Sequence, residues 1–494
     1  MIESLERMHG RFLWGAVINM NRRQFIGVAG LSGLGASLAG WHLASQPGEN
    51  EVIARKLDQQ LLGEDYPFTA LWGFNDSVPG PVLRKTQGDT LSLTFKNRLS
   101  QPSSIHWHGI RLPNNMDGVP GITQRVVKPG EDFQYEFALP DAGTFWYHPH
   151  VATYEQLGRG LYGALIVGER ERVDVDRDEL LVISDLHLDQ SAQIPGNFKN
   201  LHDASHAGRL GNTVLCNGQK VPTLRQVRPG ERIRLRLVNA SSARIYRLRF
   251  DGVAPLIVAM DGHPCAPQIM GETLYFSPGN RYDFILDVPR LSGGLTLRDE
   301  FFPMMPNLLA RFELKGSPVA ARSGFAGLPP NTLPPFDDRS AEKVDLVLEG
   351  GALSEKATRE AIWLLNGRGN DHDSLLDSHE NHPDPLFECR SGQTIHCRID
   401  NRTAWFHPMH FHGVVLQEKQ ADGRWGPYRD ATLVWPFKTS EIRFVTERPG
   451  EWMIHCHVSE HHHSGLMGTF RVGDVCTTKQ RPWVTTAWGS DTTA

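Results

Sequence analysis

Short runs of alternating apolar and polar residues, separated by turn residues, dominate this chain of 494 residues. Alternation with a period of two is typical of half-buried β-strands, because successive side chains point to opposite faces of a sheet. The 48 glycines and 32 prolines favour many strands joined by turns rather than long helices. The pattern therefore predicts an all-β protein.

One strand pattern recurs three times at well-separated positions. Each copy runs from a turn glycine to a turn asparagine nine residues later: Gly88 to Asn97, Gly230 to Asn239, and Gly392 to Asn401. Three copies predict three related β-sandwich domains, which we place at residues 55–168, 172–318 and 343–475. A proline-rich stretch from Leu328 to Pro335 is the predicted second linker.

The three copies differ in the residues that follow the asparagine. At nine and eleven residues beyond it, the outer copies carry His106 and His108, and His410 and His412, whereas the middle copy carries Leu248 and Phe250. A second His-x-His pair follows a glycine in each outer copy: His148 and His150 after Gly143, and His455 and His457 after Gly450. The outer domains are thus predicted to bind metal, and the middle domain to be a spacer without metal ligands.

The cysteine between His455 and His457 divides these side chains into two sets. Residues i and i+2 of a strand point to the same side, so the two imidazoles lie together and Cys456 points elsewhere. A soft thiolate with two imidazoles is the ligand set of a trigonal blue-copper site, and Cys456 with His407 and His461 supplies it. Eight histidines remain for a cluster, far more than the roughly four ligands of a zinc site.

The four histidine segments, in this order, resemble the signature of multicopper oxidases with three cupredoxin domains, such as laccases and cuprous oxidases. The resemblance implies three tandem cupredoxin-like Greek-key β-sandwich domains and four copper ions. It implies type 1 copper in the third domain, and type 2 copper held by His106 and His410. The implied type 3 pair is held by His108, His148 and His457 on one ion and by His150, His412 and His455 on the other. The implied activity is oxidation of a reductant coupled to reduction of dioxygen to water.

Two residues near the ligands gain expected roles from the same resemblance. Asp117, nine residues after His108, matches a functional aspartate of similar oxidases, so we expect it to handle protons, with a simple turn residue as the alternative. The axial position of the type 1 copper falls at Leu466, which does not coordinate and predicts a strongly oxidising site. A shift of one residue would instead bring the sulfur of Met467 towards copper, and this alternative stays open.

The composition of the chain limits the classes of partner and substrate that we expect. The 51 Lys and Arg residues against 56 Asp and Glu give a net charge of −5, which offers no field to attract nucleic acid or an anionic membrane. Only 11 methionines occur, and they form no methionine-rich segment of the kind that suits cuprous ion. We therefore expect a monomer that uses dioxygen and a phenol or arylamine, with a cuprous or ferrous oxidase of copper tolerance as the alternative.

The N-terminus resembles a twin-arginine export signal, because Arg22 and Arg23 precede a small, apolar stretch that ends near Ala44. We expect residues 1–44 to be removed and the mature protein to be periplasmic or otherwise exported, without a membrane span. A membrane anchor is the alternative, although the stretch is short for one. The true start is either Met1 or Met20. Residues 476–494 are predicted to be a C-terminal tail.

Six cysteines give no spacing that marks a zinc site or a dense disulfide framework. Cys389 and Cys397 flank one turn, so they could pair if their strands are neighbours, but two buried thiols are an equal alternative.

Overall fold

The computed structural model describes residues 50–290, 294–320, 322–358, 361–370, 376 and 384–473. The predicted export signal and the predicted C-terminal tail lie outside these residues. Within them, none of the helices has the length and apolar character that a membrane crossing requires.

Six sheets form three cupredoxin-like domains, two sheets to a domain, which confirms the predicted all-β fold. In the first domain one sheet has the strand order β2-β1-β4-β6 and the other β3-β8-β7-β5. Its strands are β1 (Glu51–Gln59), β2 (Thr69–Phe74), β3 (Leu83–Thr86), β4 (Thr90–Asn97), β5 (His106–His108), β6 (Asp132–Ala138), β7 (Gly143–His148) and β8 (Gly163–Gly168). A 3-10 turn (Asn114–Met116) and the short helix α1 (Thr153–Gln156) complete it.

The second domain is built from the sheets β11-β10-β9-β13-β18-β15-β16 and β12-β20-β19-β14-β17. Its strands are β9 (Arg177–Leu186), β10 (Thr213–Cys216), β11 (Gln219–Lys220), β12 (Thr223–Val227), β13 (Arg232–Asn239), β14 (Tyr246–Asp251), β15 (Leu256–Met260), β16 (His263–Ile269), β17 (Leu274–Phe276), β18 (Arg281–Asp287), β19 (Leu295–Asp299) and β20 (Asn307–Leu314). The helix α2 (Leu201–Ser205) lies between β9 and β10.

The third domain pairs the sheets β22-β21-β24-β29-β26-β27 and β23-β31-β30-β25-β28. Its strands are β21 (Glu342–Gly350), β22 (Trp363–Leu365), β23 (Phe387–Arg390), β24 (Thr394–Asn401), β25 (His407–Phe411), β26 (Leu416–Lys419), β27 (Trp425–Arg429), β28 (Ala431–Val434), β29 (Thr439–Val445), β30 (Gly450–Cys456) and β31 (Met467–Gly473). The helix α3 (Ser459–His462) follows β30.

The repeated sequence pattern forms the same strand in every domain. β4, β13 and β24 each run parallel to the first strand of their domain and antiparallel to a second neighbour. The closing asparagines Asn97, Asn239 and Asn401 are buried, and each side-chain amide donates to backbone carbonyl oxygens of the loop that follows. A buried amide needs such partners, so each asparagine fixes the loop that leads into the next strand.

Candidate metal centre

Two pairs of neighbouring strands bring the histidine segments together. In the first domain β5 pairs antiparallel with β7, which sets His106 opposite His148. In the third domain β25 pairs with β30, which sets His410 opposite His455. Between His106 and His108, Trp107 points into the hydrophobic core, so the pleat directs both imidazoles away from that core.

Eight histidines from the two outer domains form one buried group, which we call the eight-histidine cluster. Every member is at most 3% exposed. Ring nitrogens lie within 4.8 Å of one another in three groups: His106 with His108 and His148, His106 with His410 and His412, and His150 with His412 and His455. The eighth member is His457, whose ring centroid lies 5.0 Å from that of His108. The cluster therefore lies between the first and third domains.

Hydrogen bonds fix which ring nitrogen faces the cluster. His106 Nδ1 lies 2.7 Å from the backbone oxygen of Asp117, and His410 Nδ1 lies 2.8 Å from that of Asp430. Because a carbonyl only accepts, these Nδ1 atoms carry the proton and the Nε2 atoms carry the lone pair. Both Nε2 atoms are buried without a hydrogen-bond partner among the described residues. A buried, unsatisfied nitrogen is costly, and a bound metal ion would satisfy it.

Burial keeps six imidazoles of the cluster neutral. Desolvation lowers the pKa of five cluster histidines well below the usual value, and their mutual repulsion adds to the shift: His108, His148, His150, His410 and His412. The pKa of His457 falls to about 3, also mainly through burial. A neutral imidazole is the form that binds a metal ion, so the cluster is suited to hold one.

The second group, which we call the thiolate site, comprises Cys456, His407 and His461, all at 0% exposure. Cys456 Sγ lies 3.6 Å from His407 Nδ1 and 3.7 Å from His461 Nδ1, and the two nitrogens are 3.2 Å apart. Three ligands around an ion at about 2 Å in trigonal geometry would be separated by roughly 3.5 Å, so this triangle fits one ion. Burial raises the pKa of the Cys456 thiol, and a bound cation would offset that effect.

The middle domain covers the thiolate site. His461 Nε2 donates to the backbone oxygen of His206 at 2.7 Å, just after α2. The indole of Trp363 packs 4.2 Å from the His461 ring, and its Nε1 donates to the oxygen of Ala204. On the other ligand, His407 Nε2 lies 2.8 Å from Thr403 Oγ1. These contacts leave the Nδ1 atoms of His407 and His461 directed at Cys456. The prediction that the middle domain is only a spacer does not include its contact with His461.

Leu466 and Met467 lie on different sides of the chain. Both side chains are fully buried. Leu466 belongs to the core cluster that contains Cys456 and Trp363, whereas Met467 packs in a separate cluster with Val119 and Met453. This packing favours Leu466 over Met467 as the neighbour of the thiolate site.

Asp117 touches the eight-histidine cluster twice. It is 1% exposed, and besides the backbone contact to His106 its Oδ2 lies 2.8 Å from His412 Nδ1. The carboxylate thus joins the first domain to an imidazole of the third. His462, next to His461, is also buried and packs 4.5 Å from the ring of His455.

Sequence reasoning missed Asp430 and Arg281. Asp430 is fully buried, and its Oδ1 accepts from His108 Nε2 at 3.1 Å and from Arg281 Nη1 at 3.0 Å. Burial raises the pKa of the Asp430 carboxyl, and the Arg281 guanidinium opposes that shift. Both residues act over long separations in sequence, so no local spacing pointed to them.

Cys389 and Cys397 are not joined by a disulfide in the part of the chain that the structure describes. Cys389 lies in β23 and Cys397 in β24, which belong to different sheets. Both side chains are buried, and the Cys389 thiol donates to the oxygen of Arg471. The structure therefore has two buried thiols at these positions.

Comparison with known proteins agrees with this site. Family models described as multicopper oxidase match residues 59–172, 178–293 and 360–475. The multicopper oxidase MmcO of Mycobacterium tuberculosis is 27% identical, over 86% of this chain and 88% of its own. The crystal structure of a multi-copper oxidase from Pseudomonas thermotolerans is 33% identical with a TM-score of 0.78, and covers 86% of this chain and 98% of that one. A Campylobacter jejuni multicopper oxidase described as a metallo-oxidase is 27% identical with a TM-score of 0.71, over 87% and 93%.

This chain belongs to the multicopper oxidase family. It is therefore an oxidoreductase that reduces dioxygen, and the family implies copper at its metal sites. The buried Nε2 atoms of His106 and His410 and the thiolate triangle fit that metal, because copper accepts imidazole and thiolate ligands together.

Proposed function

We propose that the protein is a laccase-like oxidase, which couples one-electron oxidation of phenols or arylamines to four-electron reduction of dioxygen to water. It holds four copper ions when loaded. Type 1 copper is held by His407, Cys456 and His461, and type 2 copper by His106 and His410. The type 3 pair is held by His108, His148 and His457 on one ion and by His150, His412 and His455 on the other.

The observation that carries this proposal is the position of Cys456 between His455 and His457. The thiol of Cys456 belongs to the thiolate site, and both neighbouring imidazoles belong to the eight-histidine cluster. One covalent stretch of three residues therefore joins the two sites. Copper, when bound, supplies one-electron redox chemistry at both ends of this stretch. The peptide of Cys456 is then the shortest covalent path for the electrons.

The surrounding residues have separate tasks. Burial of the eight-histidine cluster excludes bulk water, so that dioxygen is reduced without release of partly reduced forms. Asp117, which is hydrogen-bonded to His412, is the acid that we propose for proton delivery, because dioxygen reduction consumes protons. His206 and Trp363 cover His461 and hold its ring in place.

A surface of aromatic rings supports an organic reductant. The aromatic surface comprises Tyr275, Phe301, Phe406 and Trp435, with ring centroids 4.8 Å apart for Tyr275 and Trp435 and 5.0 Å apart for Phe406 and Trp435. Phe406 directly precedes His407, and Trp435 follows the residue that pairs with His407 across the sheet. Trp435 is 43% exposed, so a planar substrate could stack there.

The alternative, a cuprous or ferrous oxidase, has one structural point in its favour. Met304 and Met305 are 93% and 73% exposed in the loop between β19 and β20, and thioethers are suitable ligands for monovalent copper. The similarity to a Campylobacter jejuni metallo-oxidase points the same way.

Steady-state kinetics on one copper-loaded preparation separate these two functions. We expect kcat/KM for a phenol and an arylamine to exceed that for cuprous and ferrous ions, and Trp435→Ala to lower only the organic values. Ile269→Ala, which removes an exposed apolar side chain outside the aromatic surface, is the control. Higher kcat/KM for the metal ions, with a loss confined to a Met304→Ser and Met305→Ser double variant, would establish the alternative.

We also propose that residues 1–44 direct export through the twin-arginine route, which leaves the mature enzyme in the periplasm or outside the cell. Two arginines before a small, apolar stretch support this. Changing Arg22 and Arg23 together to lysine should leave the protein in the cytoplasm, as seen by cell fractionation. Unchanged export of that variant would refute the route.

A further inference from the structure

Arg281 reaches from the middle domain to the edge of the eight-histidine cluster. It begins β18 and is 0% exposed. Its guanidinium donates to the backbone oxygens of Thr144 in the first domain, and of Asp261 and Gly279 in its own domain. The remaining donors go to Asp430 in the third domain. One side chain thus connects all three domains at one point.

Asp430 in turn binds two histidines of the cluster, one through its carboxylate and one through its backbone oxygen. Its Oδ1 accepts from His108 Nε2 at 3.1 Å, and its backbone oxygen accepts from His410 Nδ1 at 2.8 Å. His108 therefore directs Nδ1 towards the cluster, and that atom is buried without a hydrogen-bond partner among the described residues. Because the other ring nitrogen decides the tautomer, Asp430 selects the atom with which His108 binds metal.

Asp117 and Asp430 are related by a reciprocal pattern. Each holds a histidine of its own domain through the backbone oxygen, His106 for Asp117 and His410 for Asp430. Each holds a histidine of the other outer domain through its carboxylate, His412 for Asp117 and His108 for Asp430. The Asp430 carboxylate has a further partner, Arg281. This arginine belongs to the middle domain, which carries no histidine of the cluster.

Two glycines make room for this arrangement. Gly109, with φ of +87°, directly follows His108, and a Cβ there would collide with both Arg281 Nη2 and Asp430 Oδ2. A Cβ at Gly279 would lie 2.9 Å from His457 Cδ2 and 3.0 Å from His108 Cε1. The backbone of the middle domain is therefore packed directly against the cluster, and the ion pair lies where a side chain at position 109 would be.

We propose that Arg281 is a positioning residue for the cluster: by holding Asp430, the copper-free middle domain sets the orientation of His108 and His410, and with it the copper affinity of the cluster. This inference rests on the proposed copper sites. Partners behind metal ligands typically contribute 10- to 100-fold to metal affinity, and a buried, bidentate arginine is well suited to that task. The thiolate site has other supports, so its copper should not respond.

The matched test compares Arg281→Gln with Arg429→Gln. Arg429 also makes a half-buried contact between the third and middle domains, to Asp261 and Tyr282, but neither of these partners is a cluster histidine. We expect Arg281→Gln and Asp430→Asn to weaken copper binding at the cluster roughly 10- to 100-fold, measured by competition with a chelator. The blue band of the thiolate site should persist, and Arg429→Gln should keep parent affinity. Equal losses in the two arginine variants, or parent affinity in Arg281→Gln, would overturn the proposal.

A second comparison guards against simple misfolding. Gly109→Ala and Gly130→Ala bear similar backbone strain, because φ is +87° and +84°, but a Cβ at Gly130 meets nothing within 4 Å. We expect only Gly109→Ala to lose cluster copper and to alter the type 2 copper spectrum. Equal behaviour of the two would refute the inference. Copper binding by the unmutated protein tests the proposed function separately. If that protein bound copper only at the thiolate site, the proposed function itself would be wrong.

Discussion

Asp117 Oδ2 lies 2.8 Å from His412 Nδ1, so a carboxylate of the first domain holds an imidazole of the third. The same aspartate accepts a hydrogen bond from His106 through its backbone oxygen. A cluster shared by two domains depends on such contacts, because neither domain carries a complete set of ligands. The contact also puts an acid beside the place where dioxygen would be reduced.

Asp117→Asn tests proton delivery. Asparagine has nearly the same shape and still accepts a hydrogen bond from His412, so copper content and the blue band should stay at parent values. Reoxidation by dioxygen after anaerobic reduction should slow roughly 100-fold, because the amide does not release a proton. Stopped-flow spectroscopy measures that rate. Reoxidation at the parent rate would show that Asp117 only orients His412.

Cys456→Ser tests whether the two sites are separable. Serine does not supply a soft thiolate, so we expect the blue band and substrate oxidation to be lost. The eight-histidine cluster keeps all its ligands, so three of the four coppers should remain by metal analysis. Loss of all copper from a folded variant would argue against two independent sites.

Leu466→Met tests the axial position. A thioether there would donate electron density and favour the oxidised ion, so the potential of the thiolate site should fall and the oxidation of high-potential phenols should slow. Met467→Leu is the control, because Met467 packs in a separate cluster with Val119 and Met453. Potentiometric titration decides the matter. If the potential of the thiolate site rose strongly in Met467→Leu and did not change in Leu466→Met, Met467 would be the axial residue instead.

His263 gives a prediction for pH. It is 1% exposed, and burial lowers its pKa to about 4. Its folded pKa lies below the ordinary value of 6.5, so it contributes stability above pH 6.5 that is lost as the pH falls towards 4. In His263→Gln, the free energy of unfolding should therefore fall less between pH 6.5 and pH 4, by up to roughly 3 kcal/mol. Thermal midpoints at pH 7 and pH 4.5 test this, with the exposed His202→Gln as control. An equal fall in thermal midpoint from pH 7 to pH 4.5 in the parent and in His263→Gln would contradict this prediction.

The fold was predictable because its signal is local and repeated. A glycine, an alternating strand and an asparagine mark β4, β13 and β24, and Asn97, Asn239 and Asn401 form equivalent hydrogen bonds in the structure. The histidine pairs were visible for the same reason, since a strand shows alternate residues on one face.

The supports of the site were not predictable in this way. Asp430 is 322 residues from His108 and 149 from Arg281, so their contacts depend on how the domains pack and leave no spacing in the sequence. The contact of His461 with His206 has the same origin, since the two residues are separated by 255 positions in the sequence. The middle domain is predicted to be a spacer because it lacks histidine pairs, yet its backbone binds His461 of the thiolate site and its Arg281 holds Asp430 beside the eight-histidine cluster.

The most direct test of the account is the ratio of electrons to dioxygen during turnover with a phenol. If the thiolate site feeds a closed cluster, one dioxygen should be consumed for every four electrons taken from substrate, with no hydrogen peroxide detected. An oxygen electrode and a peroxide assay on the same copper-loaded sample give both quantities. A ratio of two electrons to one dioxygen, with peroxide accumulating, would contradict the account.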